Sequence, residues 1–334
     1  MADTLQGIQT KVRRLTRSMS ESVLSTVDLN DYINTFVLYD MPEHLRLFDL
    51  RTQFTFYCNP YQDVYVTDTT LNVNDPLYNF KNLYISVHPP LYIAGFEAMY
   101  TQSREQLFGV YPGINFIQSI GVAGNGITQT FTGVVPNSPF LQNQVLFSSI
   151  DTMNNGLSLI DVPTSNSAGN LVVPGTATVQ GTVNYVTGAF TLTFPTAPGS
   201  GQPINSQTVP YVPQIPLAML YYDDKFTLRP VPDQPYRINF EVFKRPTQLI
   251  ASNQVPELEQ WWQYIAYGAA KKVLEDRMDL DSVALILPEF LKQQNLVLRR
   301  TLIQYANQRV ATIYTEQTSV GYNNWGIGGA GGNL

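Results

Sequence analysis

Helical sequence patterns at the two ends of this chain enclose a long middle in which the pattern is that of short strands. Near the C-terminus, Pro256 and the acids after it stand where a helix favours them at its start. The residues that then recur at spacings of three and four are Leu258, Trp262, Ile265, Ala269 and Val273. This spacing predicts a helix with one apolar face, then a break at residues 279–282 and a second helix that restarts at Pro288.

The second C-terminal helix carries two apolar stripes instead of one. The first stripe comprises Leu291, Leu298, Leu302, Tyr305 and Ile313, and the second comprises Leu296, Ile303, Val310 and Tyr314. A helix that is apolar on two sides has two partners to pack against. We expect one partner to be the rest of its own domain, and the other is open to a second copy of the chain.

The N-terminal end is also helical by its pattern. Apolar residues step by three and four from Leu5 to Met19, which predicts a helix over residues 4–17. Residues 25–28 resemble a capping box and predict a second helix, and Pro42 marks the start of a short third helix. The polar side of the first helix either docks on an acidic partner or is simply solvated. The basic residues gathered there are Lys11, Arg13, Arg14 and Arg17.

The pattern changes to the two-residue period of strands from Thr52 onward. Within residues 115–211, short β-branched and aromatic runs separated by turn-forming residues predict a small antiparallel sandwich, with Thr187 and Gly188 in a hairpin turn. The termini of a domain tend to lie close together. The predicted fold is therefore α+β: a helical bundle formed by the N- and C-terminal helices, with an inserted antiparallel β-sandwich-like domain.

These patterns divide the chain into six segments. They are the N-terminal helices of the helical core (1–50), short strands and loops (51–114), the inserted β domain (115–211), a β-hairpin returning to the core (212–255), the C-terminal helices (256–318) and a flexible Gly-rich tail (319–334). The tail carries Tyr322 and Trp325, aromatic residues that can become ordered when a partner binds.

Composition favours a chain whose surface is largely covered. Only 14% of the residues are charged, against about 25% in an ordinary soluble domain, and aromatic residues are abundant, although a tyrosine-rich monomer would have the same composition. The net charge of −6 gives no electrostatic case for binding nucleic acid. The single cysteine, Cys58, excludes an internal disulfide and a cysteine-based zinc site. With no signal-peptide pattern and no run of about 18 apolar residues, we expect a protein made in a cytoplasm, with no membrane partner.

Residues suited to catalysis or metal binding are few and scattered. His44 and His88 are the only histidines, and each stands alone in the sequence. The glycine-rich run at residues 121–126 lacks the strand–turn–helix context of a phosphate loop and is typical of a β-turn. Asp223 and Asp224 are adjacent acids that suit a turn or, less commonly, a cation site or acid–base chemistry. We expect no enzymatic activity, no catalytic residue, no cofactor and no metal.

Segments of distinctive sequence occur in both helical ends and in the strands between them. They are STVDLNDYINTFVLY at residues 25–39, PEHLR at 42–46, TLRPVPD at 227–233, YRINF at 236–240, and PEL at 256–258 with the aromatic and small residues that follow. These segments resemble the head-to-tail connector proteins of tailed bacteriophages, also called portal adaptors or neck-ring proteins. The segment GTVNYVTGAFTL at 181–192 is similar to a β module that recurs in phage virion and tail proteins.

The resemblance implies a structural virion protein that forms a ring, usually dodecameric, between the portal and the tail. Its partners would be the portal protein, tail or nozzle proteins and further copies of itself as a cyclic homo-oligomer. Contact with DNA passing through the channel would be non-specific. The resemblance also implies assembly in the host cytoplasm and a final location at the neck of the virion. Candidate residues for the portal and subunit interfaces are Lys11, Arg13, Arg14, Arg17, Trp261, Leu296, Ile303, Val310, Tyr314, Tyr322 and Trp325.

Two other classes of function stay open. A tail spike, fibre or baseplate β-module that binds a receptor or glycan would use aromatic rings, for which Tyr185, Tyr211 and the tyrosine pair at residues 221–222 are candidates. The lack of a fibrous repeat counts against this function. A cell-wall hydrolase would use paired carboxylates, with Asp223 or Glu241 as candidates.

Overall fold

The computed structural model describes residues 4–44 and 48–302, without the side chains of residues 43, 44 and 48. The described residues fall into two compact units, one drawn from Met1–Thr52, Asn82–Ser86 and Val242–Leu334, and the other from Gln53–Lys81 and Val87–Glu241. The helices are α1 (Leu5–Leu15), α2 (Thr26–Thr35), α3 (Met41–His44), α4 (Phe80–Leu83), α5 (Arg104–Val110), α6 (Trp262–Asp276) and α7, which covers residues 280–302.

Fifteen strands form two sheets in the described chain. The strands are β1 (Arg51–Tyr57), β2 (Val64–Val66), β3 (Tyr84–Ile93), β4 (Phe96–Thr101), β5 (Phe116–Ala123), β6 (Thr130–Val134), β7 (Leu146–Ile150), β8 (Gly156–Pro163), β9 (Ala168–Val172), β10 (Val179–Asn184), β11 (Ala189–Thr193), β12 (Pro203–Thr208), β13 (Ala218–Tyr222), β14 (Lys225–Arg229) and β15 (Arg237–Lys244). The seven-stranded sheet has the order β1-β15-β3-β4-β13-β14-β2, and the eight-stranded sheet has the order β5-β12-β7-β8-β9-β10-β11-β6.

α1 and α2 pack against α6, so helices from both ends of the chain share one hydrophobic core. Thr4 caps α1 by accepting a hydrogen bond from the Gly7 amide at 3.3 Å, and Ser25 caps α2 by accepting from the Asp28 amide at 3.1 Å. The apolar spacing predicted for α1 and α6 is confirmed at the buried positions of these helices, and α2 buries an apolar face as well. Their buried residues include Leu5, Ile8, Val12, Leu29, Ile33, Ile265, Ala269 and Val273.

A wider, π-helical turn over Phe36–Asp40 follows α2, where the sequence pattern predicted only a continuing helix. The turn places Phe36 against Gly268 of α6, so closely that a Cβ at this glycine would lie 2.2 Å from the ring. Phe36 also packs edge-on against Tyr264, with ring centroids 5.2 Å apart. Gly268 is therefore the residue that lets the turn and α6 approach each other.

The seven-stranded sheet is mixed, with β13 parallel to β4 and antiparallel to β14. Its core is largely aromatic. Ring centroids lie 5.8 Å apart for Phe226 and Phe56, 5.1 Å for Phe226 and Phe80, and 5.7 Å for Phe226 and Phe240. Aromatic rings at these separations attract each other in addition to burying apolar surface, so this cluster holds the sheet together.

The eight-stranded sheet pairs antiparallel throughout, and side chains from all eight strands pack into one core, so this sheet curls into a barrel. Its edge strands, β5 and β6, are consecutive in the chain and are joined by residues 124–129, which keeps the two edges of the sheet near each other. We call the opening between β5 and β6 the seam. The predicted hairpin turn is confirmed, because Gly188 lies between β10 and β11 with φ +77°. Large side chains of the barrel core are Phe131, Phe140, Phe147, Tyr185, Phe190 and Phe194.

The predicted fold class is wrong. The molecule is mostly β, and it is not a helical bundle with an inserted sandwich. Residues 51–114 and 212–255, predicted as separate short strands and a hairpin, join in one sheet because β4 pairs with β13 and β2 pairs with β14. These strands are far apart in the chain, and a local pattern does not report such pairings. The predicted sandwich is instead one sheet that curls on itself, since its two edge strands are sequence neighbours.

The break between the last two helices also differs from the prediction. α6 ends at Asp276, Met278 adopts φ +57°, and α7 begins at residue 280. Asp279 caps the new helix, because its Oδ1 accepts a hydrogen bond from the Ser282 amide at 3.1 Å. Pro288, which was expected to start the helix, lies inside it.

Candidate functional site

α7 packs onto the helical core through a face that neither predicted stripe contains. Ile286, Phe290 and Val297 contact the core, and Val297 is fully buried. Phe290 stacks on Tyr264 with ring centroids 5.3 Å apart and an interplanar angle of 22°. The spacing of four and seven residues among Ile286, Phe290 and Val297 is the signal in the sequence that points to this face.

Five leucines form an exposed apolar surface on another side of α7, which we call the leucine face. They are Leu280, Leu287, Leu291, Leu298 and Leu302, at intervals of seven, four, seven and four residues. Each of them is between 36% and 72% exposed. Intervals of seven and four are those by which two helices pack side by side. The leucine face therefore has the spacing of a helix–helix contact and no such contact within the described chain.

A second exposed strip of α7 contains Leu285 and Leu296, which are exposed and lie three helical turns apart. At 100° per residue, this strip stands about 140° around the helix from the leucine face. Where the structure describes them, both predicted stripes are thus on the surface. The expectation that this helix packs on its own domain is confirmed, but the contact is made by a face that neither stripe contains, where Phe290 stacks on Tyr264.

Charged and aromatic side chains border α7. Hydrogen bonds from Gln293 and from Lys292 lower the pKa of Glu289, and the Lys292 ammonium lies 3.2 Å from its carboxylate. Arg300 lies over the ring of Trp261, with its guanidinium carbon 5.5 Å from the ring centroid. Trp261, a predicted interface residue, is therefore partly covered by α7 itself.

The predicted basic face of α1 is partly used within the molecule. Arg13 donates to the Leu24 carbonyl at 2.7 Å, which ties the end of the loop before α2 to α1. The Lys11 ammonium lies 5.3 Å from the centroid of the Tyr267 ring. Only the other two basic residues, Arg14 and Arg17, are exposed. The predicted interface residues that lie outside the described part of the chain are Ile303, Val310, Tyr314, Tyr322 and Trp325.

The paired acids occupy a tight turn. Asp223 and Asp224 have φ +53° and +52° and form the two-residue connection between β13 and β14. Asp223 pairs with Lys225 and Asp224 pairs with Lys81, each at 3.1 Å. Positive φ at both central residues is the geometry of the hairpin turn that matches strand twist. The two carboxylates therefore stand in a structural turn, each beside a lysine.

The other residues considered for chemistry are dispersed. Tyr185 is buried and donates to the Asp161 carboxylate at 3.0 Å, so its ring cannot stack on a sugar. Tyr222 is exposed but lies under the guanidinium of Arg104, 5.3 Å from the ring centroid. The Glu241 carboxylate lies 3.9 Å from Nδ1 of His88. The described residues contain no group of three or more histidine, cysteine or carboxylate side chains placed to hold a metal ion.

A cavity of about 260 Å³ lies beside α7 and is lined by the rings of Phe36, Tyr264 and Phe290. Its charged walls pair with each other, because Lys272 lies 2.7 Å from Asp40 and Lys271 lies 3.2 Å from Glu275. The charged side chains that line the cavity are thus already paired, so none is left to pair with a charged ligand.

Comparison with known proteins gives no family for this chain, since no protein-family model and no curated protein sequence matches it. Among the helices of the described residues, none combines the length and the apolar character needed to cross a membrane. The leucine face of α7 is the surface feature that bears most directly on function.

Proposed function

We propose that this chain is a structural virion protein, a head-to-tail adaptor that assembles as a cyclic homo-oligomer between the portal and the tail. The leucine face carries the proposal. Moving one leucine side chain from water into a fully buried contact contributes about 1.5–3 kcal/mol. Five exposed leucines along one helix face therefore strongly favour a partner that covers them. A patch of this kind marks a protein–protein contact more often than an idle surface.

A second copy of the chain is the partner that the leucine face fits. Its seven-and-four spacing suits the side of another helix, and in a ring that side is the Leu285 and Leu296 strip of α7 in the neighbouring copy. The strip of Leu285 and Leu296 on another side of α7 gives the same helix a second apolar surface. Two different apolar surfaces on one helix suit a heterologous contact, in which each copy has two neighbours, and such contacts close into rings.

The adaptor role is supported by the resemblance of the helical and strand segments to phage connector proteins. Residues 25–39 form α2 and most of the π-helical turn, and residues 256–270 lead into α6, so two of these segments pack together in one core that also holds α7. Contacts with the portal above and with tail or nozzle proteins below belong to the proposal, as does a location at the virion neck. The role is structural and needs no catalytic group.

The decisive experiment measures the mass of the full-length protein alone and with its cognate portal, followed by imaging of any complex. We expect a closed ring, formed alone or on the portal. The variant Leu291→Glu/Leu298→Glu should raise the protein concentration needed for assembly by at least about tenfold, because each charge would have to be buried in the contact. The matched control Leu291→Met/Leu298→Met keeps both positions apolar and should assemble as the wild type does.

Both variants are expected to melt at the wild-type temperature, since the two leucines are exposed in the subunit. Normal ring assembly by the glutamate variant would show that the leucine face is not the contact. A trimer that ignores the portal would overturn the adaptor proposal and favour a tail fibre.

A further inference from the structure

The barrel has almost no charged side chains. Residues 106–222, all of which the structure describes, contain none of the chain's 20 basic residues and only two of its 26 acidic residues. They contain neither histidine. An isolated soluble surface normally carries interspersed charges, which keep copies of a protein apart. The barrel lacks this repulsion.

Neither of the two acidic residues of the barrel is exposed. Asp161 accepts hydrogen bonds from the backbone amides of Asn143 at 2.7 Å and Val145 at 2.9 Å, in addition to the Tyr185 hydroxyl. Asp151 is buried too and accepts from backbone amides of the turn that it begins. The outer surface of the barrel is therefore neutral, made of amide, hydroxyl and apolar groups.

Exposed apolar residues lie along the seam, on both faces of β5 and in the neighbouring segments. We call them the seam patch, and each is between 42% and 84% exposed. Three belong to β5, one to β6, and two to the segments on either side of β5. The residues are Ile114, Phe116, Ile117, Val122, Ile127 and Val134.

The seam also leaves strand edges open. β5 pairs only with β12, and β6 pairs only with β11, so each has one edge without a backbone partner in the described chain. Natural proteins protect such edges with lysine, proline or a bulge. β5 has neither lysine nor proline, and its irregularity is confined to its second half, near Gly121 with φ +80°. Its first half, Phe116 to Ser119, pairs in regular register, and across the seam the Gln118 side-chain amide donates to the Pro136 carbonyl at 3.4 Å.

We propose that the seam patch binds the barrel of another copy of this chain. A charged partner would lose the solvation of its charges against a surface that offers no counter-charge, so the partner must be neutral as well. The neutral barrel of a second copy meets that condition. The inference rests on the proposed ring, in which a neighbouring copy is always present, and it adds a contact separate from the leucine face.

The test introduces one charge on the full-length protein at the seam and one elsewhere on the barrel. Ile117→Lys places an ammonium in the seam patch. Val162→Lys is the matched control, since Val162 is also β-branched and exposed but lies on β8, three strands from the edge strand β5. We expect Ile117→Lys to raise the concentration required for ring assembly by at least about tenfold, and Val162→Lys to change it by less than about twofold. Both variants should keep the wild-type melting temperature.

The outcomes separate this inference from the proposed function. If Ile117→Lys assembles like the wild type while Leu291→Glu/Leu298→Glu does not, the barrel contact is wrong and the ring proposal stands. If both lysine variants weaken assembly equally, the seam has no special role and the inference is overturned. If the wild type forms no ring, alone or with the portal, both proposals fall.

Discussion

Asp161 shows how one residue organises the end of the barrel. Its carboxylate gathers two backbone amides and the Tyr185 hydroxyl, and the absence of a side chain at Gly169 leaves room for that hydroxyl. Burial raises the pKa of Asp161 above its ordinary value, although the three hydrogen bonds act in the opposite direction. This carboxylate is thus costly to bury and, once buried, fixes the loop before β7.

Replacement of Asp161 by alanine should destabilise the protein by about 2–4 kcal/mol, because three buried donors lose their acceptor. Tyr185→Phe removes a single donor and should cost about 1 kcal/mol. Denaturant unfolding followed by circular dichroism measures both. Equal losses for the two variants would mean that the carboxylate itself contributes little.

At the scale of elements, the hairpin of β13 and β14 depends on a turn with an unusual sequence. Both central residues, Asp223 and Asp224, adopt positive φ, which glycine and asparagine tolerate better than aspartate. The ion pair of Asp224 with Lys81 is exposed and screened by solvent, so it contributes little to stability.

Asp224→Gly should therefore stabilise the protein slightly, by about 0.5 kcal/mol, because relief of the backbone strain exceeds the loss of the ion pair. Asp224→Ala loses the same ion pair and keeps the strain, so it should be less stable than the wild type. Thermal unfolding of the three proteins should rank glycine above aspartate and aspartate above alanine. The reverse order of glycine and alanine would contradict the assigned role of the turn.

Elements with a strong local period were predictable, and those fixed by distant contacts were not. The spacing of Leu5, Ile8 and Val12 predicted α1 correctly, and Gly188 predicted the hairpin turn between β10 and β11. The π-helical turn was not predictable, because it is stabilised by the contact of Phe36 with Gly268, a residue far away in the sequence. The inner face of α7 was not predictable either. Leucines make the strongest apolar stripe in its sequence, yet Phe290 and Val297 face the core, because Phe290 stacks on the Tyr264 ring of α6. The candidate site was thus found on the predicted helix, with its inner and outer faces assigned wrongly.

At the scale of the whole molecule, the surfaces proposed for assembly are apolar and neutral, although the chain has a net charge of −6. Contacts between exposed charges weaken as salt screens them, whereas apolar contacts do not. The two kinds of contact can therefore be told apart in the intact protein.

We expect the assembly concentration of the wild-type ring to change by less than about twofold between about 0.1 M and about 0.5 M NaCl, and to fall in ammonium sulfate. Analytical ultracentrifugation across this range measures it. A steep loss of assembly with NaCl would instead assign the contact to charged residues, with the exposed Arg14 and Arg17 as the first to replace.

The pairing of the first and last strands of the barrel has a consequence for how such a chain can change in evolution. β5 runs antiparallel to β12, with Phe116 opposite Thr208, so the chain enters and leaves the barrel at one place. A recombination event at that place would insert or remove the whole barrel as a cassette, and would leave the strands of the other sheet in register. One recombination event can thus add, remove or exchange the whole barrel together with its neutral surface.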